Sequence, residues 1–246
     1  MRIRLQQSAR KICPNITGML RLCLLLSTLT ACLPPTLPSV VKIGLIAPFE
    51  GSERDRGYDA IYAARMAIRE INASGGAGGV GGWQLELIAY DDRADPEFAQ
   101  TAARNLATDD NVVAVIGHFY PDSTAAAESV YVEAGLPLLA FDATDPSYPL
   151  PETLPGTGAW IESYRASGPH TPAPDVYALP TYEAVMALAE AITAATTQGQ
   201  PTRAAIAAAL PNVERQGPLG TLRWQTGDNG IFQLLRNVEP NSAPHP

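Results

Sequence analysis

Asp91 and Asp92 stand next to each other after an apolar segment, and paired carboxylates can perform acid–base catalysis or bind a cation. The same letters occur where a strand ends and turns into a capped helix, and the surrounding pattern favours this structural role. Three serines, Ser123, Ser129 and Ser147, lack the G-x-S-x-G context of a nucleophile. None of the histidines has a cysteine or a second histidine at metal-ligand spacing. We therefore expect no enzyme, no metal site and no cofactor.

Gly76, Gly78 and Gly81 fit the G-x-G-x-x-G pattern of dinucleotide-binding loops. In such loops the glycines follow a strand and open a helix. Here apolar residues recur at helical spacing before the glycines, and residues 83–90 alternate after them as in a strand. Because the order is reversed, the glycines are predicted to form a turn from a helix into a strand, and not a nucleotide site.

The first 32 residues contain five basic residues and no acidic one, and they include an apolar run at 22–29. The run ends in Leu29-Thr30-Ala31-Cys32, which is similar to the signal of bacterial lipoproteins, in which the cysteine is lipidated. We favour this interpretation over an ordinary secretory signal. Cys32 is then expected to anchor an extracytoplasmic chain to the bacterial cell membrane, in the periplasm or on the outer surface.

Charge also limits the possible partners. Subtracting the five basic residues of this segment from the 17 in the chain leaves 12, against 25 acidic residues. Such a negative surface repels phosphate backbones, so nucleic acid is not expected to be a partner.

From residue 40 onwards, strand-like and helix-like segments alternate. Asp95-Pro96-Glu97 supplies a cap, a proline at the first helical position and an acid in the first turn, which predicts the start of a helix. The alternation predicts an α/β fold, a three-layer sandwich with a mainly parallel, doubly wound sheet. Ligands of such sheets bind beyond the carboxyl ends of the strands. The predicted strands are 40–47, 83–90, 112–117 and 136–141, and the predicted helices are 57–73, 95–108 and 123–134.

The second part of the chain is less regular, because prolines interrupt residues 146–175. Pro180 is expected to kink or delay the first turn of the long helix that follows. A small C-terminal helix and a hairpin complete the prediction. The predicted elements are helices over 159–167, 176–197 and 202–210, a hairpin of 220–224 with 231–235, and a tail over 239–246.

Several stretches match one family. The blocks "VKIGLIAPFEG", "RGYDAIYAARMAIREINASGG", "VYVEAGLPLLAFDATDP" and "GPLGTLRW" resemble the type I periplasmic binding proteins that take up leucine, isoleucine and valine for ABC transporters. The resemblance is continuous from Val40 to Asp145 and patchy from Ala159 to Val238. It implies an extracytoplasmic solute-binding protein that delivers a small polar solute, such as an amino acid or an amide, to ABC permease subunits.

Family members have two lobes that close on the ligand, and the resemblance implies that most of the second lobe is missing here. Residues 40–145 then form the first lobe, 146–175 replace most of the second, 176–200 return to the first, and 202–238 are a remnant of the second. Since pockets usually enclose a ligand almost fully, we expect weak binding, with a homodimer as a way to restore enclosure. Two alternatives remain open: a sensory or interaction domain, and a non-functional, internally deleted product.

The resemblance also implies the ligand-binding residues. They are expected in the loops after the first, third and fourth strands, and Thr144 matches the family's ligand-binding threonine. Pro121 departs from the family pattern because it replaces a serine that would donate a hydroxyl, and Asp142 replaces a small residue. The candidate residues are Phe49, Glu50, Arg56, Tyr120, Asp122, Ser123, Asp142, Ala143 and Thr144.

Arg56 has two possible roles. It can bind a ligand carboxylate in a bidentate contact, or it can neutralise Asp142 or Glu50. We favour neutralisation within the chain.

Overall fold

The computed structural model describes residues 39–79, 82–142, 148–196, 200–227 and 230–237. Within them, strands and helices alternate as predicted through the first half. The first half comprises β1 (Val40–Ala47), α1 (Arg54–Ala73), β2 (Gln84–Asp91), α2 (Pro96–Ala107), β3 (Val112–Ile116), α3 (Pro121–Ala134) and β4 (Leu138–Ala140). The second half comprises α4 (Gly158–Arg165), α5 (Ala178–Thr196), α6 (Arg203–Ala209), β5 (Glu214–Gly217), β6 (Gly220–Thr226) and β7 (Phe232–Asn237).

The strands form a single seven-stranded sheet in the order β2-β1-β3-β4-β7-β6-β5. The pairs from β2 through β7 are parallel, whereas β7, β6 and β5 pair antiparallel. The predicted α/β fold with a mainly parallel sheet is therefore confirmed.

Helices cover both faces of the sheet. Alternate side chains of β1 point to opposite faces and so pack against different helices. Ile43 and Leu45 pack in the core with α1 and α5, while Ile46 packs with α2 and α3 on the other face. Gly44 lets α2 come close, since a Cβ at this position would lie 2.6 Å from Leu106 Cδ1. All five residues of β3 are buried, as expected for a strand covered on both faces.

Local signals predicted from the sequence are present. The side chain of Asp95 accepts hydrogen bonds from the amides of Glu97 and Phe98 and so caps α2. After α1, Gly75 and Gly76 have φ values of 108° and 95°, which glycine adopts easily, and β2 begins soon afterwards. The glycines therefore form the predicted turn from a helix into a strand.

The C-terminal hairpin lies in the same sheet as the first four strands. Residues 202–238 were predicted to be a remnant of a second lobe, whereas in the structure β7 pairs with β4. The reason is packing, because Phe232 lies in the main core and the Trp224 ring meets the Phe141 ring edge-on at 6.2 Å. All described residues accordingly belong to one compact unit. The polar strand β5 was missed because its sequence, ERQG, shows no apolar alternation.

Arg203 fastens α6 to the rest of the unit. Its guanidinium donates to the backbone carbonyls of Ala107, Asp109, Val112 and Ala134, at 2.8–3.2 Å. These carbonyls include ones at the ends of α2 and α3, which have no partner within their own helices. Among the described residues, none of the helices has the length and apolarity needed to cross a membrane.

Candidate functional site

The candidate site lies at the carboxyl ends of β1, β3 and β4. Because β3 pairs with both β1 and β4 in parallel, the loops after these strands emerge at the same edge of the sheet. They carry Phe49 and Glu50 after β1, Tyr120 after β3 and Asp142 after β4. This edge is where doubly wound sheets bind their ligands.

Four side chains form what we call the Arg56 cluster: Glu53, Arg56, Tyr120 and Tyr177. The Arg56 guanidinium carbon lies 5.5 Å from the ring centre of Tyr120 and 5.7 Å from that of Tyr177. Its Nε atom lies 3.2 Å from Oε2 of Glu53. Arg56 is thus held between two aromatic faces, which attract a cation, and is paired with a carboxylate.

Hydrogen bonding sets the charges in the cluster. The Tyr120 hydroxyl donates to Oε2 of Glu53, and this bond, with a further contribution from Arg56, lowers the pKa of Glu53. Burial, and then the bond to Glu53, raises the pKa of Tyr120. At neutral pH the cluster therefore contains one anion, one cation and two neutral phenols.

Arg56 was predicted to be neutralised by Asp142 or Glu50. Arg56 forms an ion pair with Glu53, which the sequence analysis missed. Glu50 instead pairs with Arg93, with 2.6 Å between Nη2 and Oε2. The i, i+3 spacing of Glu53 and Arg56 at a helix start was the available signal.

An aromatic wall extends from the cluster toward Asp142. The rings of Phe119 and Phe141 stack at 5.5 Å, and Tyr177 meets Phe119 edge-on at the same distance. Tyr148 contacts both Phe141 and Tyr177. Burial is the main reason that the pKa of Tyr177 is raised; Arg56 lowers it, and Asp175, Asp142 and Asp59 raise it further. Arg56 and three acidic residues therefore lie within electrostatic reach of Tyr177.

Two hollows adjoin this edge, and they divide the predicted residues. One, of about 380 Å³, is lined by Asp142 together with Thr124, Phe141 and Tyr148. The other, of about 530 Å³, is lined by Phe49 and Glu50 together with Tyr58, His170 and others. Tyr120 lines neither hollow.

The remaining predicted residues lie elsewhere. Asp122 is exposed in the first turn of α3. Ser123 is fully buried and its hydroxyl has no hydrogen-bond partner among the described residues, so it does not face the crevice. Its predicted contact with a ligand is therefore not supported by its position. Ala143, Thr144 and Cys32 lie outside the described residues.

Asp91 and Asp92 both make structural contacts. Asp91 Oδ1 accepts from the amides of Phe49 and Arg93 and so holds the loop after β1. Asp92, His118 and Tyr131 form what we call the Asp92 chain. Asp92 Oδ2 lies 2.7 Å from His118 Nδ1, and His118 Nε2 lies 3.0 Å from the Tyr131 hydroxyl.

The Asp92 chain superficially matches the order of groups in a catalytic relay. However, Asp92 and His118 are 0% exposed and Tyr131 is 2% exposed, so no substrate can reach them. The chain instead ties the ends of β2 and β3 to α3. No group of three or more His, Cys, Asp or Glu side chains among residues 39–237 that the structure describes is arranged to hold a metal ion.

Asp59 positions Tyr177 in the site. This buried residue of α1 accepts hydrogen bonds from the amides of Asp175 and Tyr177 and from the hydroxyl of Tyr164. Burial raises the pKa of Asp59 to about 7, against the lowering effect of the amide bonds. The signal in the sequence was an acid on the apolar face of a helix.

Comparison with known proteins identifies the family. Residues 40–154 and 141–242 match the sequence model described as periplasmic binding protein. The chain belongs to this family. The predicted resemblance to the periplasmic binding proteins is therefore confirmed. The family consists of binding proteins, which confirms the prediction that the chain is not an enzyme.

Two relatives come from Pseudomonas aeruginosa. An amino acid binding protein is 36% identical over 106 residues, and a leucine-, isoleucine-, valine-, threonine- and alanine-binding protein is 39% identical over 106 residues. Each match covers 43% of this chain, but only 28% and 27% of the relatives. The sequence match to these relatives is therefore to a small part of their length.

Solved structures agree with the fold. A branched-chain amino acid transporter substrate binding protein from Streptococcus pneumoniae superposes with a TM-score of 0.59 at 15% identity, covering 79% of this chain and 94% of that one. A possible leucine/isoleucine/valine-binding protein from Rhodopirellula baltica gives a TM-score of 0.63 at 13% identity, covering 82% and 93%. At these identities the likeness concerns the fold of this periplasmic binding protein.

Proposed function

We propose that this chain is a weakly binding, extracytoplasmic solute-binding lipoprotein of a branched-chain amino acid ABC transporter. The observation that carries the proposal is the presence of a cation and an acid at the same edge of the sheet. Arg56 lies over the rings of Tyr120 and Tyr177, and Asp142 lines a hollow together with Phe141 and Tyr148. The names of the relatives, which bind amino acids, support the same solute class.

An amino acid fits these charges with its groups in a defined order. Its carboxylate is matched by the Arg56 guanidinium, which offers planar donors, and its ammonium by Asp142. Phe119 and Tyr177 are buried, so an apolar side chain would contact Tyr148 and Phe141, which line the hollow beside Asp142. This arrangement differs from the one implied by the resemblance, in which Thr144 and a hydroxyl at position 121 hold the ligand.

Weak binding follows from limited enclosure. Small-molecule sites bury roughly 70–90% of their ligand, and a single lobe supplies one wall of such a site. The lobe boundaries drawn from the resemblance imply that the facing wall is largely missing. Two copies that meet through this edge of the sheet would restore it, so we propose a dimer in the presence of solute.

Calorimetry tests the proposal. We expect L-leucine or L-isoleucine to release or absorb heat with wild-type protein, and Arg56→Gln to weaken that binding. Arg69→Gln, at an exposed position of α1, serves as the matched control because it also removes one positive charge. A complete lack of heat from a library of amino acids and small amides would rule out solute capture. Light scattering with and without solute tests the dimer.

The lipid anchor needs its own experiment. In cells given a labelled fatty acid, the wild-type chain is expected to carry the label and to sediment with membranes. Cys32→Ala is expected to lose both properties. A labelled or membrane-bound Cys32→Ala chain would contradict the proposed anchor.

A further inference from the structure

Glu53 stands at the start of α1 but does not cap it. Polar residues at this position often accept a hydrogen bond from a free amide of the first turn. The Glu53 side chain makes no such bond. Its Oε2 atom instead accepts from the Tyr120 hydroxyl and lies 3.2 Å from Arg56 Nε.

These two partners are the groups that a solute carboxylate requires. A guanidinium binds carboxylates with charge-assisted hydrogen bonds, and a phenol adds a neutral donor. Glu53 therefore presents to Arg56 and Tyr120 the same chemical group, with the same charge, that an amino acid would present. Two carboxylates on one guanidinium edge repel each other, so the two compete.

Glu53 is able to leave this position. Its side chain is 34% exposed, and that of Arg56 is 37% exposed, so water replaces the contacts that are broken. Ion pairs at such exposure are weak. The preceding loop contains Gly51, with φ of 86° and open space around it, so the loop has room to adjust.

We propose that Glu53 is an internal competitor, which occupies the carboxylate subsite formed by Arg56 and Tyr120 until a solute carboxylate displaces it. This inference rests on the proposed function. The bonds from Tyr120 and Arg56 lower the pKa of Glu53, so the competitor is an anion at neutral pH. The consequence is selectivity, because Glu53 weakens the binding of carboxylate solutes and has no such effect on solutes that lack the group.

The test compares L-leucine with L-leucinamide, in which the carboxylate is replaced by a neutral amide. Calorimetry is done on the full chain as wild type, Glu53→Gln and Asp55→Asn. Asp55 lies in the first turn of the same helix, and its side chain is 92% exposed, so Asp55→Asn makes the same change in charge away from Tyr120. Glu53→Ala is a second variant in case Glu53→Gln does not fold.

We expect Glu53→Gln to bind L-leucine about tenfold more tightly than wild type, if roughly one-tenth of the wild-type molecules have a free subsite. L-leucinamide is expected to bind wild type and Glu53→Gln alike, and Asp55→Asn is expected to behave as wild type. A gain of the same size for Asp55→Asn would mark a general charge effect and overturn the inference.

The remaining outcomes separate this inference from the proposed function. If L-leucine binds wild type and Glu53→Gln with equal affinity, the competitor role is wrong while solute binding stands. If Glu53→Gln binds more weakly, Glu53 is itself a ligand contact and the competitor role is again wrong. If neither ligand binds any variant, the proposed function fails together with the inference.

Discussion

The Arg56 cluster and the Asp92 chain are both polar networks near the carboxyl ends of the same sheet, yet they differ in burial. The charged members of the Arg56 cluster are about one-third exposed, whereas Asp92 and His118 are fully enclosed. In the exposed network, water replaces a broken contact, so its members are able to exchange partners. In the enclosed network, a broken contact leaves an unpaired polar group, so the network holds the fold together. Burial thus separates the proposed recognition surface from a structural tie.

The largest predicted effect is on the enclosed network. Asp92→Ala removes the acceptor for His118 Nδ1 and for the Ala94 amide. Since each buried donor left unpaired costs about 1–3 kcal/mol, we expect the free energy of unfolding to fall by about 3 kcal/mol. Urea unfolding measures this, with Asp110→Ala in an exposed loop as the control. An equal, small change in both variants would show that the Asp92 chain does not stabilise the fold.

Asp59 is also buried, and its contribution to stability is expected to depend on pH. Because its pKa is raised from 3.8 to about 7 in the folded protein, the folded state binds the proton more tightly than the unfolded state. Stability from this group is therefore greatest at low pH and declines as the pH rises from about 4 to 7.

Asp59→Asn removes this titrating group. It also removes one of the two carboxylate oxygens that accept hydrogen bonds from backbone amides. We expect it to lower the free energy of unfolding by about 1–3 kcal/mol at pH 4 and by less at pH 7. Parallel urea titrations at several pH values measure the difference between the two proteins, in which the other titrating groups cancel. A difference that stays constant over this range would contradict a raised pKa for Asp59.

In the exposed network, function and stability are expected to separate. Arg56→Gln should change the free energy of unfolding by less than about 1 kcal/mol, since it removes an exposed ion pair. It should weaken L-leucine binding about tenfold or more, because hydrogen bonds to charged groups contribute about 1.5–3 kcal/mol. Thermal melting and calorimetry on the same samples measure both. A large loss of stability would show that Arg56 holds the fold together, as the Asp92 chain does.

The smallest predicted effect is at Arg93, which lies outside the Arg56 cluster. Arg93 pairs with Glu50 and lies over the Phe98 ring at 4.4 Å, with its side chain 46% exposed. Arg93→Gln is expected to change the free energy of unfolding by about 0–1 kcal/mol. Its effect on L-leucine binding should be negligible, since Arg93 does not belong to the Arg56 cluster. If calorimetry shows that Arg93→Gln and Arg56→Gln lose similar affinity for L-leucine, the Arg56 cluster has no special role in binding.

The candidate site was predictable only in part. Parallel strands bring their carboxyl ends to one edge, so the loops that carry Tyr120 and Asp142 were foreseen. Glu53 was missed, because its bond to Tyr120 joins residues 67 positions apart. Asp59 was missed for the same reason, since its amide donors lie more than 100 residues away.

The sequence by itself determined the local elements of the first half: apolar runs made the buried strands, Asp95 began α2, and glycines ended α1. These features depend on neighbours along the chain, so they can be read from it. Only the tertiary structure decided that β7 joins β4, that His118 meets Asp92, and that Tyr120 donates to Glu53. Such contacts depend on which surfaces pack together in space, and residue order alone does not specify that.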